Sequence, residues 1–267
     1  MSDRPVLSTQ EGSIATLTLN RAGKRNAISR EVLTALEEAL AGVRDDPLVR
    51  VIVLRGAGPM FSSGIDHTLL MEVFTASQEA PFRHLHGDLH RLVDQMVKVE
   101  KPIVAVLHGA AVGMGLELAL AADFRVAAAD CVLGLPEVAF GIIPDVGGTT
   151  RLTHLLGPHR AKDLILTGEL VPAGDARASG ICTRVVAPEA LEDTTRALVD
   201  RLAEHPPAAV GLGKILVDQV VDVDRATALK LEGVYQSILL QRPDLSDHFG
   251  PALAFIQGQL KGARRSA

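Results

Sequence analysis

The chain predicts an α/β fold followed by a helical appendage, and three observations carry that prediction. Two continuous apolar runs, Val49 to Leu54 and Pro102 to Leu107, have the composition of strands buried on both faces. Segments with apolar residues at helical spacing alternate with them. From Pro207 onward the pattern is helical only, over 207–220, 224–241 and 247–261. The expected organisation is a core of residues 1–200 and a C-terminal helical region, 201–267, that covers the core or joins subunits. At 267 residues the chain is long enough to bury a substantial core.

Taken in order, Ile14 to Leu19 alternates as a strand does, and Asn20 to Lys24 is its turn. Ser29 is placed to cap a helix that carries Leu33, Leu36 and Leu40 on one face, with Gly42 as its stop. The strand at 49–54 runs into a Gly/Ser loop, RGAGPMFSSGIDH, at its carboxyl end, where open α/β sheets bind ligands. Thr68 to Glu100 is the least regular region, with a mobile lead-in expected at 75–81 and a charged helix from Phe82. Arg160 to Thr167 reads as a helix, and Ala173 to Val186 as a helix, a stop at Gly180 and a strand. Glu189 to Glu204 is amphipathic through Leu191, Leu198 and Leu202.

Composition excludes several functions. Acidic residues number 32 against 27 basic, aromatics are 3% and Trp is absent, which argues against a nucleic-acid surface because stacking platforms are scarce, and leaves open a local basic spot for a phosphorylated small molecule. No apolar run reaches the length of a membrane span, and the N-terminal stretch lacks a signal-peptide pattern. Cys131 and Cys182 match no ligand spacing and read as free buried thiols of a reducing cytoplasm. His86 and His90 share a helix face near His84, but no carboxylate or cysteine completes a metal set, so a solvated histidine face is the better reading.

The rest of the chain is organised around Ile103 to Leu152, where Glu117, Glu137 and Asp145 interrupt almost wholly apolar sequence. A carboxylate in such surroundings costs several kcal/mol or shifts its pKa unless compensated, which points to catalysis. Gly113-Met114-Gly115 opens a strong helix whose first N–H groups have no internal partner and could stabilise an oxyanion, and a second donor could come from Ile65 in the FSSGID loop; ordinary Gly-rich turns are the alternative. Glu117 falls in the first turn of that helix, where capping would also explain it. Glu137, after Pro136, has no such explanation, and Asp145 is placed as an N-cap for the next helix. These residues define a polar-carbonyl site with acid/base groups.

The pieces together resemble the crotonase (enoyl-CoA hydratase/isomerase) superfamily over nearly the whole length. The resemblance is carried by NRAGKRNAIS (20–29), VRVIVLRGAGPMFSSGID (49–66), KPIVAVLHGAAVGMGLELALAADFRVAA (101–128), LPEVAFGIIPDVGGTTRL (135–152), TG (167–168) and A-x-x-A-x-x-x-G-I-C-x-x-V (173–185). It implies a spiral core of repeated ββα units with a C-terminal trimerisation region, assembled as a homotrimer or a dimer of trimers. It implies an acyl-CoA thioester as substrate, with no separate cofactor, its carbonyl held by the N–H groups of Ile65 and Met114. Lys24, Arg25, Ser63, Ile65, Asp66 and Lys261 would contact CoA. Glu117 and Glu137 occupy the positions of the two glutamates with which the family's hydratases add water to a 2-enoyl double bond.

Three departures qualify the match. Met114 stands where Gly is usual, His67 where an aliphatic residue is common, and Asp145 where simple hydratases carry a small residue and dienoyl-CoA isomerases a catalytic Asp. Those isomerases also share GID, here 64–66, but usually have Asp at the position of Glu117. Hydration is the first expectation, double-bond isomerisation with Glu137 and Asp145 the second, and a non-catalytic CoA-binding relative the third.

Overall fold

The computed structural model describes residues 4–75, 79–175 and 178–265. Its chain divides into two compact units, Met1–Glu204 and His205–Ala267. The first is built on a six-stranded sheet. Strands β1 (Val6–Glu11) and β2 (Ile14–Leu19) form a hairpin in which Glu11 pairs with Ile14. The inward residues of β2 alternate with half-buried ones, as its period of two requires. Helix α1 (Arg30–Asp45) leads to β3 (Val51–Gly56), and helices α2 (His67–Thr75) and α3 (Glu79–Lys98) lead to β4 (Ile103–Leu107). All five residues of β4 are buried.

From β4 the chain winds. Strand β5 (Ala110–Val112) leaves the large sheet for a small one and feeds α4 (Met114–Leu120). Strand β6 (Phe124–Ala128) then returns to the large sheet, β7 (Val132–Gly134) pairs with β5, and α5 (Gly148–Thr167) follows. Strands β8 (Val171–Pro172) and β9 (Arg184–Val186) and helix α6 (Leu191–Glu204) complete the unit. The large sheet has the order β1-β2-β3-β4-β6-β9, parallel except for the β1–β2 pair, and the small sheet the order β5-β7-β8. These are the expected ββα turns. The loop after β3 meets the small sheet through a bridge between Ser62 and Ala111 of β5.

The second unit contains α7 (Pro207–Val221), α8 (Arg225–Leu240) and α9 (Phe249–Arg265). Asp224 caps α8 by accepting from the N–H groups of Ala226 and Thr227 at 2.9 and 3.1 Å, and the Tyr235 hydroxyl donates to Gln219 Oε1 at 2.9 Å. No helix among the described residues is long and apolar enough to cross a membrane.

Several local expectations change. Ser29 does cap α1, but the helix runs through Gly42 to Asp45, because Val43 beyond it is buried and packing outweighs the weak propensity of one glycine. The charged helix expected from Phe82 is present and begins three residues earlier, at Glu79, and residues 68–75 are helical rather than irregular; part of the expected lead-in, 76–78, lies outside the described residues. Ala173 to Gly180 contains no α-helix among its described residues: the backbone N–H groups of Ala173 and Gly174 donate to Cys131 and Ala129, tying this stretch to the β6–β7 turn.

Candidate active site

The site begins with Gly113. Its φ of +54° turns the chain sharply off β5 into α4, and a Cβ there would lie 3.0 Å from Glu137 Oε1. The Met114 N–H that follows has no intrahelical acceptor. On the facing loop, Gly64 O accepts from Ile28 N and Asp66 N donates to Ile28 O, both at 2.8 Å. Strand alternation therefore turns the N–H of Ile65 toward the opposite edge, where β5 and the start of α4 lie. Among the described residues neither N–H makes a hydrogen bond.

A buried polar network fixes the loop that carries Ile65. Asn26, fully buried with φ +53°, donates to Ala57 O and Met60 O at 2.8 Å and accepts from Arg21 N at 3.0 Å. Ser62 Oγ donates to Asn26 O at 2.9 Å and accepts from Gly64 N at 3.2 Å. Arg21 pairs with Asp66 at 2.9 Å; burial raises the Asp66 pKa, but Arg21 and the N–H of Thr68 outweigh it and leave the carboxyl below its ordinary value. Asp66 is thus engaged in holding the loop. Sequence reasoning missed Asn26, although an Asn beside Arg25 in a turn is a recognised candidate for left-handed backbone.

Glu117 is 2% exposed. Its Oε1 accepts from both Val146 N and Gly148 N at 2.9 Å. It caps not its own helix but α5, whose N-cap, Gly147, has no side chain to offer. A Cβ on Gly148 would come within 2.7 Å of Glu117 Oε1, so only glycine permits the approach. Desolvation pushes the Glu117 pKa up to about 7, against the two N–H groups that favour its charged form.

Glu137 sits on a 3-10 turn, Pro136–Phe140, in the opposite circumstance. Its Oε2 is buried without a hydrogen-bond partner among the described residues. Desolvation is the main cause that pushes its pKa up to about 7, against a hydrogen bond from its own backbone N–H, and the charges of Glu117 and Asp145 add to the rise. The two carboxyls therefore share one low-dielectric site in which they sense each other.

Asp145 is not an N-cap. Gly147 holds that position, and the α5 amides it would have taken are already bound to Glu117. Its carboxylate, 36% exposed, faces His86 Nε2 at 3.7 Å, while its backbone carbonyl accepts from His90 at 2.8 Å. The His86 and His90 rings lie 4.2 Å apart, and no group of three or more His, Cys, Asp or Glu among the described residues is placed to hold a metal ion. Lys24, Arg25 and Ser63 are exposed on the outer edge of the Ile65 loop, with Ser63 N donating to Arg25 O at 3.0 Å. Lys261 belongs to the second unit, on α9. Burial pushes the Cys131 and Cys182 thiols up to about 12 and 11, which leaves them protonated and inert.

Two facing loops, two coupled buried carboxyls and a sheet that spirals between them define a class, and the chain belongs to it: residues 9–244 match the enoyl-CoA hydratase/isomerase family. Among its relatives, crotonyl-CoA hydratase of Syntrophomonas wolfei is 34% identical over 235 residues, covering 87% of this chain and 89% of the relative. The crystal structure of an enoyl-CoA hydratase from Bacillus anthracis superimposes with a TM-score of 0.85 at 31% identity, over 95% of this chain and 96% of that one. A Thermobifida fusca YX protein assigned as an enoyl-CoA hydratase, crystallised with CoA, gives 0.80 at 31% identity over 89% and 93%.

Proposed function

We propose that the chain is an enoyl-CoA hydratase that adds water across the 2,3 double bond of a 2-enoyl-CoA. The observation that carries this reading is the contrast between the two glutamates. Glu117 has two N–H donors that favour its charged form, so it is the base. Glu137 has a bare, buried oxygen that no donor stabilises in the charged form, which supports it as the acid. The thioester oxygen accepts from Ile65 N–H and Met114 N–H. Water gives a proton to Glu117 as its oxygen bonds to C3, and the C2–C3 π electrons move onto the thioester oxygen. The resulting enolate is stabilised by the two N–H groups and collapses as C2 takes the proton of Glu137. Lys24, Arg25 and Ser63, with Lys261, are the proposed contacts for CoA, and the exposed Leu229, Val234 and Ile238 of α8 support assembly into trimers through the second unit.

Isomerisation is the second reading, favoured by one observation: the charge of Asp145 reaches both glutamates, so a third carboxylate stands beside the pair. The test is a panel of 2-enoyl-, 3-enoyl- and 3,5-dienoyl-CoA in H₂¹⁸O, read by mass spectrometry. Gain of one heavy water by 2-enoyl substrates is expected; unchanged mass with a moved double bond would overturn hydration in favour of isomerisation.

A further inference from the structure

We infer that His90 is a positioning residue for Glu117, acting through the peptide bond between Asp145 and Val146. The inference rests on the reading of Glu117 as the base, and it adds a residue from a different helix to the machinery.

The geometry is direct. His90 Nε2 lies 2.8 Å from the carbonyl oxygen of Asp145. A carbonyl only accepts, so Nε2 carries the hydrogen. That carbonyl and the N–H of Val146 belong to one planar peptide unit, in which C=O and N–H point in opposite directions. Fixing the oxygen on His90 therefore fixes the N–H on Glu117 Oε1, 2.9 Å away on the other side. One rigid plane connects α3 to the base.

No side chain of α5 holds this loop at its N-cap, since Gly147 fills that place. Two further ties, Thr149 Oγ1 to Pro144 O at 2.7 Å and Arg151 to Val146 O at 3.2 Å, act on the neighbouring peptides. Packing anchors the Val146 side of this peptide, since Val146 is buried in the core, while the Asp145 side is partly exposed and its carbonyl is held by His90. His86 reinforces the arrangement from the same helix: its ring lies against His90, and its Nε2 faces the Asp145 carboxylate. Both the neutral Nε2–H form of His90 and its imidazolium donate, so the bond does not depend on the charge of His90.

The charged and titratable groups facing Glu117 are Glu137 on its turn, Asp145 on the loop and Arg151 on α5; those facing His90 are His86 and Asp145. If the Val146 N–H turns away, Glu117 loses a donor that favours its charged form, while burial and the charge of Asp145 continue to favour the protonated form. The base then needs a higher pH to ionise.

The experiment is the pH profile of kcat/KM for wild type, His90→Met (bulk kept, donor lost), His90→Ala as a second donorless variant, and His90→Gln, whose amide can donate. The acid limb is expected to move up by about half a pH unit or more in the donorless variants, and to return toward wild type in His90→Gln. Coincident acid limbs in wild type and a folded donorless variant would overturn the inference. A parallel ¹³C NMR titration of the Glu117 carboxyl, assigned by loss of its signal in Glu117→Gln, separates this from the proposed function. If wild type hydrates nothing, the hydratase reading fails, and the carbon titration alone decides: an upward midpoint in His90→Met supports the positioning role, and an unchanged midpoint overturns it.

Discussion

Glu117 and Glu137 occupy the same apolar pocket and are pushed to the same range, yet their surroundings differ in kind. Glu117 sits on a helix, is almost wholly enclosed and is met by two peptide donors from the start of α5. Glu137 sits on a short turn, is less buried and has an oxygen with no partner. Burial raises both. Hydrogen bonding makes them unequal, which is what a site needs if one group is to accept a proton while the other gives one.

The most direct way to break the comparison is Glu137→Gln, which removes the proposed proton donor. Hydration is expected to fall about 10²- to 10⁴-fold with CoA binding retained, measured by steady-state kinetics and calorimetry; near-normal turnover would refute the role. The same change sharpens the comparison through stability. The folded-state pKa of Glu137, about 7, exceeds the ordinary value of 4.5, so its stabilising contribution is complete below about 4.5 and is lost as pH rises through about 7. Glu137→Gln should therefore raise Tm relative to wild type more at pH 8 than at pH 5.

Glu117→Gln should cost somewhat less, about 10²- to 10³-fold, because the amide oxygen still accepts from Val146 and Gly148 and still orients water. Wild-type kcat/KM should be bell-shaped near neutrality: it falls at low pH as Glu117 gains a proton and at high pH as Glu137 loses one, the two limbs belonging to the coupled pair. Loss of the acid limb in Glu117→Gln would assign it.

Gly148→Ala tests the enclosure of Glu117 without touching the carboxyl. The new Cβ would meet Oε1 at 2.7 Å, and the expected cost is about 1–3 kcal/mol in unfolding free energy and about tenfold in rate. An innocuous Gly148→Ala would show that the approach is not tight. Asp145→Asn is expected to have the smallest effect, within about threefold for hydration. A much larger loss would move weight to the isomerase reading.

Much of this was legible in the chain. The apolar runs at 49–54 and 102–107, the strand at 14–19, the Ser29 cap and the three C-terminal helices depend on residues within a few positions of one another. The same is true of the three carboxylates, since a charge amid apolar residues is visible locally. What each carboxylate does was not. Capping its own helix was the alternative reading for Glu117 and capping α5 the first reading for Asp145, both sound locally. In the folded chain Glu117 takes the α5 amides from 29 and 31 residues away and leaves Asp145 to face α3.

By itself the sequence determined the α/β core, the helical tail, the two glycine loops and the identity of the acid/base candidates, because periodicity, propensity and charge placement are properties of neighbours. Only the tertiary structure decided which N–H groups meet which oxygen. A hydrogen bond depends on tenths of an ångström and tens of degrees, and the spiral sets both by bringing together peptides from α3, α4 and α5 that are remote along the chain.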